Sequence, residues 1–260
     1  MSGDAGGAAK GTSPEGARTE QEAARWVRGM FGRIARRYDL ANHLLSCNID
    51  RWWRARTVRR VRHVLERDRA RVLDICCGTG DLTLALERHS PHRSRMVIGC
   101  DFCHPMLVQA RAKIAGRRSR AGLFESDALR LPLRDSSLDL LTVAFGFRNL
   151  ANYQSGLEEI RRVLKPGGMC AILEFSQPEN PVFGALYRFY AQKVLPIVGG
   201  LVTGERGAYR YLPESVRKFP GAAELADAMR RAGFNEVRYE MLTGGVAALH
   251  LGVAERRGAD

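Results

Sequence analysis

Three short stretches carry residue types suited to holding a small charged ligand. The most informative is Val72-Leu-Asp-Ile-Cys-Cys-Gly-Thr-Gly-Asp81, an apolar run that passes into a turn of small residues and then a helix. Gly78 and Gly80 let the main chain approach a ligand closely and adopt positive φ. A turn of this kind at the end of a first strand is where doubly wound sheets bind cofactors. Asp74 stands at the strand end, where its carboxylate can meet an ammonium or fix the turn. Asp101 follows Gly80 by twenty-one residues, the spacing at which an acidic side chain meets ribose hydroxyls. In Glu125-Ser-Asp-Ala-Leu-Arg-Leu-Pro132, Asp127 can accept an adenine amino group while the Ala128 amide donates to a ring nitrogen. Plainer readings stand beside these: helix capping and turn formation for Asp74 and Asp81, an Asx turn for Asp127.

Two nucleotide-containing cofactors share this ribose logic. The dinucleotide fingerprint needs a third glycine three residues after the second, and Thr83 occupies that place. Asp81 in the loop is a poor neighbour for a pyrophosphate and harmless to a sulfonium. The loop therefore favours S-adenosylmethionine over NAD. No metal site is expected. Six cysteines are scattered, and Cys100-x-x-Cys103 has no second pair at zinc spacing.

The elements that must position these residues follow from hydrophobic periodicity. The 260 residues suffice for one α/β domain with appended helices. Residues 1–22 read as a disordered tail of low hydrophobicity. Residues 23–67 read as a helical lid, with Trp26, Met30, Phe31 and Ile34 at helical spacing and Trp52, Trp53, Val58 and Val61 in a later helix. Residues 68–260 form the main domain, with an inserted cap at about 177–219. Strands are expected at Arg71–Ile75, Met96–Asp101, Ala121–Glu125, Leu138–Ala144 and Met169–Glu174. Helices fall between them at Asp81–Arg88, Pro105–Ile114 and Tyr153–Leu164, the last stopped by Lys165-Pro-Gly-Gly168. Such alternation implies a mostly parallel sheet. After a helix at 221–232, two strands joined by Thr243-Gly-Gly245 make a hairpin, so the last strand must run antiparallel. A Rossmann-like, mostly parallel seven-stranded sheet ending in one antiparallel hairpin is the class I methyltransferase architecture.

Composition narrows the setting. No run approaches the ~18 consecutive apolar residues of a membrane span. The first twenty residues lack the apolar core of a signal peptide, so a cytoplasmic protein with free thiols is expected. The net charge of +13 comes almost entirely from arginine. It suits an anionic membrane surface or nucleic acid. The arginines are dispersed, as on solvated helix faces, and a dense basic stripe is missing.

On these residues the chain resembles the ubiquinone/menaquinone biosynthesis C-methyltransferase family over about residues 26–255. The shared motifs are Phe31-Gly-Arg-Ile-Ala-Arg-Arg-Tyr-Asp-Leu-Ala-Asn42, the glycine loop, Phe145-Gly-Phe-Arg-Asn149, Arg162-Val-Leu-Lys-Pro-Gly-Gly168 leading to Leu173-Glu-Phe-Ser176, and Tyr209-Arg-Tyr-Leu-Pro-Glu-Ser215. The resemblance implies methyl transfer from S-adenosylmethionine to a ring carbon of a polyprenylated quinol: demethylmenaquinol first, the benzoquinol precursor of ubiquinone second. It implies cofactor contacts at Thr79, Asp101, Asp127 and Ala128. Some relatives carry a serine before the Phe-Gly pair. Ala144 replaces it here, which leans toward the menaquinone branch.

C-methylation needs a quinol hydroxyl to lose its proton so that the ortho carbon becomes nucleophilic. The protein must align that carbon and stabilise the phenolate. Arg148 and Asn149, after the fourth strand, are the candidates for these tasks. The alternatives are that Arg148 pairs with a carboxylate such as Glu174 and that Asn149 caps the following helix. The apolar, aromatic stretch 182–202 suits an isoprenoid tail and a mouth facing the bilayer, or ordinary packing on the N-terminal helices. Tyr38, Asp39 and Asn42 are expected to close over the cofactor. A nucleic-acid methyltransferase is disfavoured. Ala-Phe-Gly-Phe-Arg-Asn stands where an Asn/Asp-Pro-Pro-aromatic motif would, and no cysteine lies between Cys103 and Cys170. Another small lipophilic substrate is the remaining alternative, and a homodimer is left open.

Overall fold

The computed structural model describes residues 10–90 and 97–255. Three helices come first: α1 (Glu20–Ile34), α2 (Tyr38–Leu45) and α3 (Ile49–Leu65). The main domain follows as β1 (Val72–Ile75), α4 (Asp81–Arg88), β2 (Val97–Asp101), α5 (His104–Gly116), β3 (Gly122–Glu125), β4 (Leu138–Ala144), α6 (Tyr153–Val163) and β5 (Leu164–Phe175). The cap comprises α7 (Pro181–Phe189), a π turn (Tyr190–Val194), α8 (Leu195–Thr203) and α9 (Arg206–Lys218). The chain closes with α10 (Ala222–Arg231), β6 (Phe234–Leu242) and β7 (Ala247–Ala254).

The seven strands lie in the order β3-β2-β1-β4-β5-β7-β6. All pairings are parallel except those of β7, which is antiparallel to β5 and β6. Strand order reverses between β1 and β4, and a crevice opens at the carboxyl ends of strands at such a point. Alternate residues feed two layers. Leu73, Ile75, Leu141 and Ile172 pack with Leu157 and Ile160 of α6 and Leu225 and Met229 of α10. Val72, Leu140 and Leu173 pack on the other face with Leu82 and Leu86 of α4 and Trp53, Val58 and Val61 of α3. The expected lid at 23–67 thus divides. Helix α3 belongs to the sheet-covering layer, because Trp53, Val58, Val61, Val64 and Leu65 recur on one face and pack against the sheet. Only α1 and α2 lie with the cap, joined to it by Val27, Met30, Ile34 and Ala41 against Leu195, Tyr209 and Tyr211.

Two expectations change. The proposed disordered tail, 1–22, is ordered from residue 10 onward; residues 1–9 lie outside the described residues. The Thr12 amide donates to the Leu150 carbonyl at 2.8 Å, and its hydroxyl meets the Tyr211 hydroxyl at 2.6 Å. Thr19 and Glu22 then form a capping box that starts α1. Hydrogen bonds rather than apolar periodicity hold this segment, so hydropathy could not find it. Second, β5 begins directly after α6. Leu138 pairs with Leu164 and Leu140 with Met169, so Lys165–Gly168 loop out as an irregularity of β5, with Gly167 at φ +78°.

Candidate active site

The crevice holds a cleft of about 940 Å³ lined from the ends of β1, β2, β3 and β4. Gly78 (φ +55°) and Gly80 (φ +83°) turn the main chain from β1 into α4. Asp101 fixes this turn from the neighbouring strand. Its carboxylate accepts the Gly78 amide at 2.8 Å and the Cys103 amide at 2.8 Å. Burial pushes its pKa up to about 6 against those two bonds. Gly146, after β4, closes the floor: a Cβ there would lie 2.3 Å from the Cys76 Cβ. The preceding Phe145 takes positive φ (+59°) to make the bend.

Asp74 lines the cleft, but its oxygens are occupied. It accepts the Thr83 hydroxyl at 2.6 Å and the Thr142 hydroxyl at 2.7 Å, and burial raises its pKa to about 6. These bonds tie the end of β1 to α4 and β4. Thr83, which breaks the dinucleotide pattern, is Asp74's partner. Thr79 donates to Asp39 of α2 at 2.5 Å and accepts from Lys113 at 2.9 Å. Lys113 also pairs with Asp39 (2.6 Å) and Asp81 (2.7 Å). These contacts join Asp39 of α2 to the glycine loop, and Lys113 is the member that sequence reading missed. Asp127 makes an Asx turn with the Leu129 amide at 2.9 Å, while its exposed side chain and buried Ala128 both line the cleft. Burial lifts the Cys76 and Cys77 thiols well above their usual range, so neither is a thiolate.

A second, larger chamber of about 1370 Å³ lies between α1, α2, α3 and the cap. Its walls are mostly apolar, among them Met30, Ile34, Trp53, Phe175, Tyr190 and Leu195. Phe31, Tyr38, Arg54 and Phe145 line both cavities. The adjacent candidates Arg148 and Asn149 are split between them: Asn149 lines the cleft, Arg148 the chamber. Arg148 is buried, and its pairing with Glu174, the alternative noted above, is realised at 2.8 Å. Its Nη1 also donates to the Phe145 carbonyl at 2.5 Å, and its Nε reaches the Ser215 hydroxyl at 3.4 Å. Burial opposes its charge, but Glu174 and nearby tyrosines outweigh that and raise its pKa. Asn149 does not cap α6; Asn152 does, accepting the Ser155 amide. The Asn149 side-chain oxygen Oδ1 instead accepts the Tyr211 hydroxyl at 2.9 Å.

The cleft suits a cationic nucleoside better than a dinucleotide. Asp74, Asp81, Asp101 and Asp127 line it against one guanidinium, Arg54. Four carboxylates repel a pyrophosphate and favour a sulfonium and an ammonium. Among the described residues no group of three or more His, Cys, Asp or Glu side chains is arranged to hold a metal ion.

This sheet order and glycine turn define an S-adenosylmethionine-dependent methyltransferase of the Rossmann-like class. A possible histamine N-methyltransferase from Thermotoga maritima shares the fold (TM-score 0.62, 20% identity, 87% of this chain and 99% of that one). So does an S-adenosylmethionine-dependent methyltransferase from Aquifex aeolicus (TM-score 0.54, 20% identity, 75% and 88%). The family is more specific: the model of the ubiE/COQ5 methyltransferase family matches residues 18–254, and the chain belongs to that family. It is 50% identical to the demethylmenaquinone methyltransferase of Thermus thermophilus over 86% of this chain and 99% of that protein. It is 45% identical to that of Deinococcus radiodurans (90% and 94%). With the ubiquinone/menaquinone biosynthesis C-methyltransferase UbiE of Syntrophotalea carbinolica it shares 43% (87% and 93%).

Proposed function

We propose that the protein methylates a ring carbon of a polyprenylated quinol, converting demethylmenaquinol to menaquinol, with the benzoquinol precursor of ubiquinone as a second substrate. The carrying observation is the apolar chamber that shares a wall with the cofactor cleft at Phe31, Tyr38, Arg54 and Phe145. A naphthoquinol head placed at that wall leaves its isoprenoid tail among the apolar side chains of α1 and the cap. S-adenosylmethionine, when bound, supplies an electrophilic methyl group.

The chain's own residues do the rest. Gly78, Gly80 and Asp101 hold the ribose end, with Asp101 accepting hydroxyls; Asp127 and Ala128 hold the base. Asp74 keeps the loop in shape through Thr83 and Thr142. Thr79 ties the loop to α2. Arg148 and Asn149 shape the junction: Arg148 braces the Phe145 bend through its carbonyl, and Asn149, held by Tyr211, is placed to orient the quinol hydroxyl or a water. The enclosing cap excludes water from the reacting carbon.

The same chamber favours work at the cytoplasmic face of a membrane. Leu40 and Leu44 of α2, Val182 and Leu186 of α7, and Ile197 and Leu201 of α8 are exposed apolar side chains. No helix among the described residues is long and apolar enough to cross a bilayer. Shallow insertion of these side chains, aided by the positive charge, is the mode proposed.

The test is methyl incorporation from deuterated S-adenosylmethionine, read by mass spectrometry on reduced short-chain demethylmenaquinol and a prenylated methoxy-benzoquinol. Label on the naphthoquinol is expected. Label on neither, with cofactor binding intact, overturns the reading and favours another lipophilic substrate.

A further inference from the structure

Methyl transfer happens where the two cavities meet, so the charged group at that junction decides how the quinol ionises. Arg148 lines only the chamber and has its Nη1 and Nε engaged. Arg54, from the first third of α3, is different. Among the described residues it is the charged side chain that lines both cleft and chamber. It is 12% exposed and ion-paired through Nη1 with Asp50, one helical turn before it. Its guanidinium carbon lies 5.3 Å from the centre of the Phe145 ring, which is part of the shared wall. No described residue accepts a hydrogen bond from its Nε or Nη2.

Asp50 is itself well anchored. Ser46 donates to it at 2.5 Å, and the His43 ring nitrogen lies 3.0 Å away. Burial raises its pKa, but Ser46, Arg54 and His43 together hold it below the usual carboxylate range. The pair is thus a fixed cation with two donor positions left, set by α2 and α3 against the end of β4.

We propose that Arg54 is a catalytic residue that binds the ionised quinol oxygen beside the methylated carbon. This rests on the quinol reading above and assigns the phenolate-holding role, expected of Arg148, to another arginine. The quinol hydroxyl gives up one proton, and the oxygen's electron pair is delocalised onto the ortho carbon. That carbon forms the new bond to the methyl group, the methyl–sulfur electrons leaving with sulfur. The carbon then loses its hydrogen as a proton while the oxygen regains one, so one proton is released overall. A fixed guanidinium at the oxygen stabilises the charge that this sequence requires, without reorganising solvent. The groups facing it are Asp50 (α3), Tyr38 (α2), Asp74 (β1) and Asp81 (α4), and Arg148 lines the same chamber.

The experiment uses Arg54→Gln and Arg54→Lys with two binding readouts besides turnover. One is the affinity for S-adenosylmethionine by calorimetry. The other is an absorbance titration of a prenylated naphthol bound together with S-adenosylhomocysteine. Arg54→Gln is expected to leave cofactor affinity within about threefold and to raise the ionisation midpoint of the bound naphthol by about one pH unit or more. It should lower kcat on the quinol by about 10²–10³-fold, with Arg54→Lys restoring part of both effects. If Asp50, left without its cation, prevents folding, Asp50→Asn/Arg54→Gln keeps the site neutral and is titrated instead. An unmoved midpoint overturns the proposal. So does a loss of cofactor affinity equal to the loss of activity, which would assign Arg54 to the cofactor's carboxylate. Should the wild type bind the naphthol yet methylate neither quinol, the quinol reading fails while the titration still decides Arg54.

Discussion

The cofactor cleft and the apolar chamber meet at Phe145, yet they are built differently. The cleft is mainly a product of the backbone: two positive-φ glycines, and a carboxylate on two amides at the end of the next strand. The chamber is a product of side chains brought from segments far apart in sequence, with Thr12 meeting Tyr211 across 199 residues to brace its rim. A change in the cleft therefore moves main chain that several groups share. A change in the chamber alters the space for one part of the substrate. Cofactor binding and substrate choice are separable to that extent.

Asp101→Ala tests the cleft most severely. It removes the acceptor for the Gly78 and Cys103 amides and, on the proposed reading, for the ribose, and should weaken S-adenosylmethionine binding by about 100-fold or more, since hydrogen bonds to charged groups are each worth about 1.5–3 kcal/mol. Calorimetry should show this with quinol-analogue binding little changed. Comparable losses in both would break the separation.

Ala191→Phe is the mirror experiment. Ala191 is buried and lines the chamber from the π turn. The added ring should raise the quinol KM by about tenfold, in line with overpacking costs of about 1–3 kcal/mol, and leave cofactor affinity unchanged. A long-tailed substrate should suffer more than a short-chain one in parallel assays.

The smallest expected effect is a pH dependence confined to the cleft. Asp74 and Asp101 have pKa values raised by burial to about 6. If Asp101 holds the ribose as proposed, its protonated form is a weaker acceptor than the carboxylate, so cofactor affinity should fall as pH drops through about 6, by at most about tenfold per unit. Stability runs the other way. Between the unfolded carboxylate value, about 3.9, and 6 the native state holds protons that the unfolded chain has released, so these groups lose stabilising effect as pH rises. Calorimetric affinity and thermal melting measured from pH 5 to 7 should therefore show opposite contributions.

The two regions were also unequally legible in the sequence. The β1 loop, Asp101 and the antiparallel β7 are set by local spacing and turn chemistry, so the strand–helix alternation located them to within a few residues. Asp74 was ambiguous because its partners, Thr83 and Thr142, lie on a helix and a strand that only the sheet register brings together. Arg54 and Lys113 were invisible: Arg54 is one of several arginines along α3, Lys113 carries no motif in α5, and only tertiary packing selects them. Arg148 stood out through its motif, but the motif could not tell a guanidinium free to meet substrate from one already engaged by Glu174 and the Phe145 carbonyl.

The bond from Thr79 to Asp39 has a kinetic consequence. It ties α2, a wall of the quinol chamber, to the loop beneath the cofactor, and Lys113 reinforces the tie from α5. Cofactor exchange past this loop is expected to loosen the contact more than quinol exchange through the cap does. Ordered binding, methyl donor first, is then the expected pattern, and product-inhibition kinetics check it.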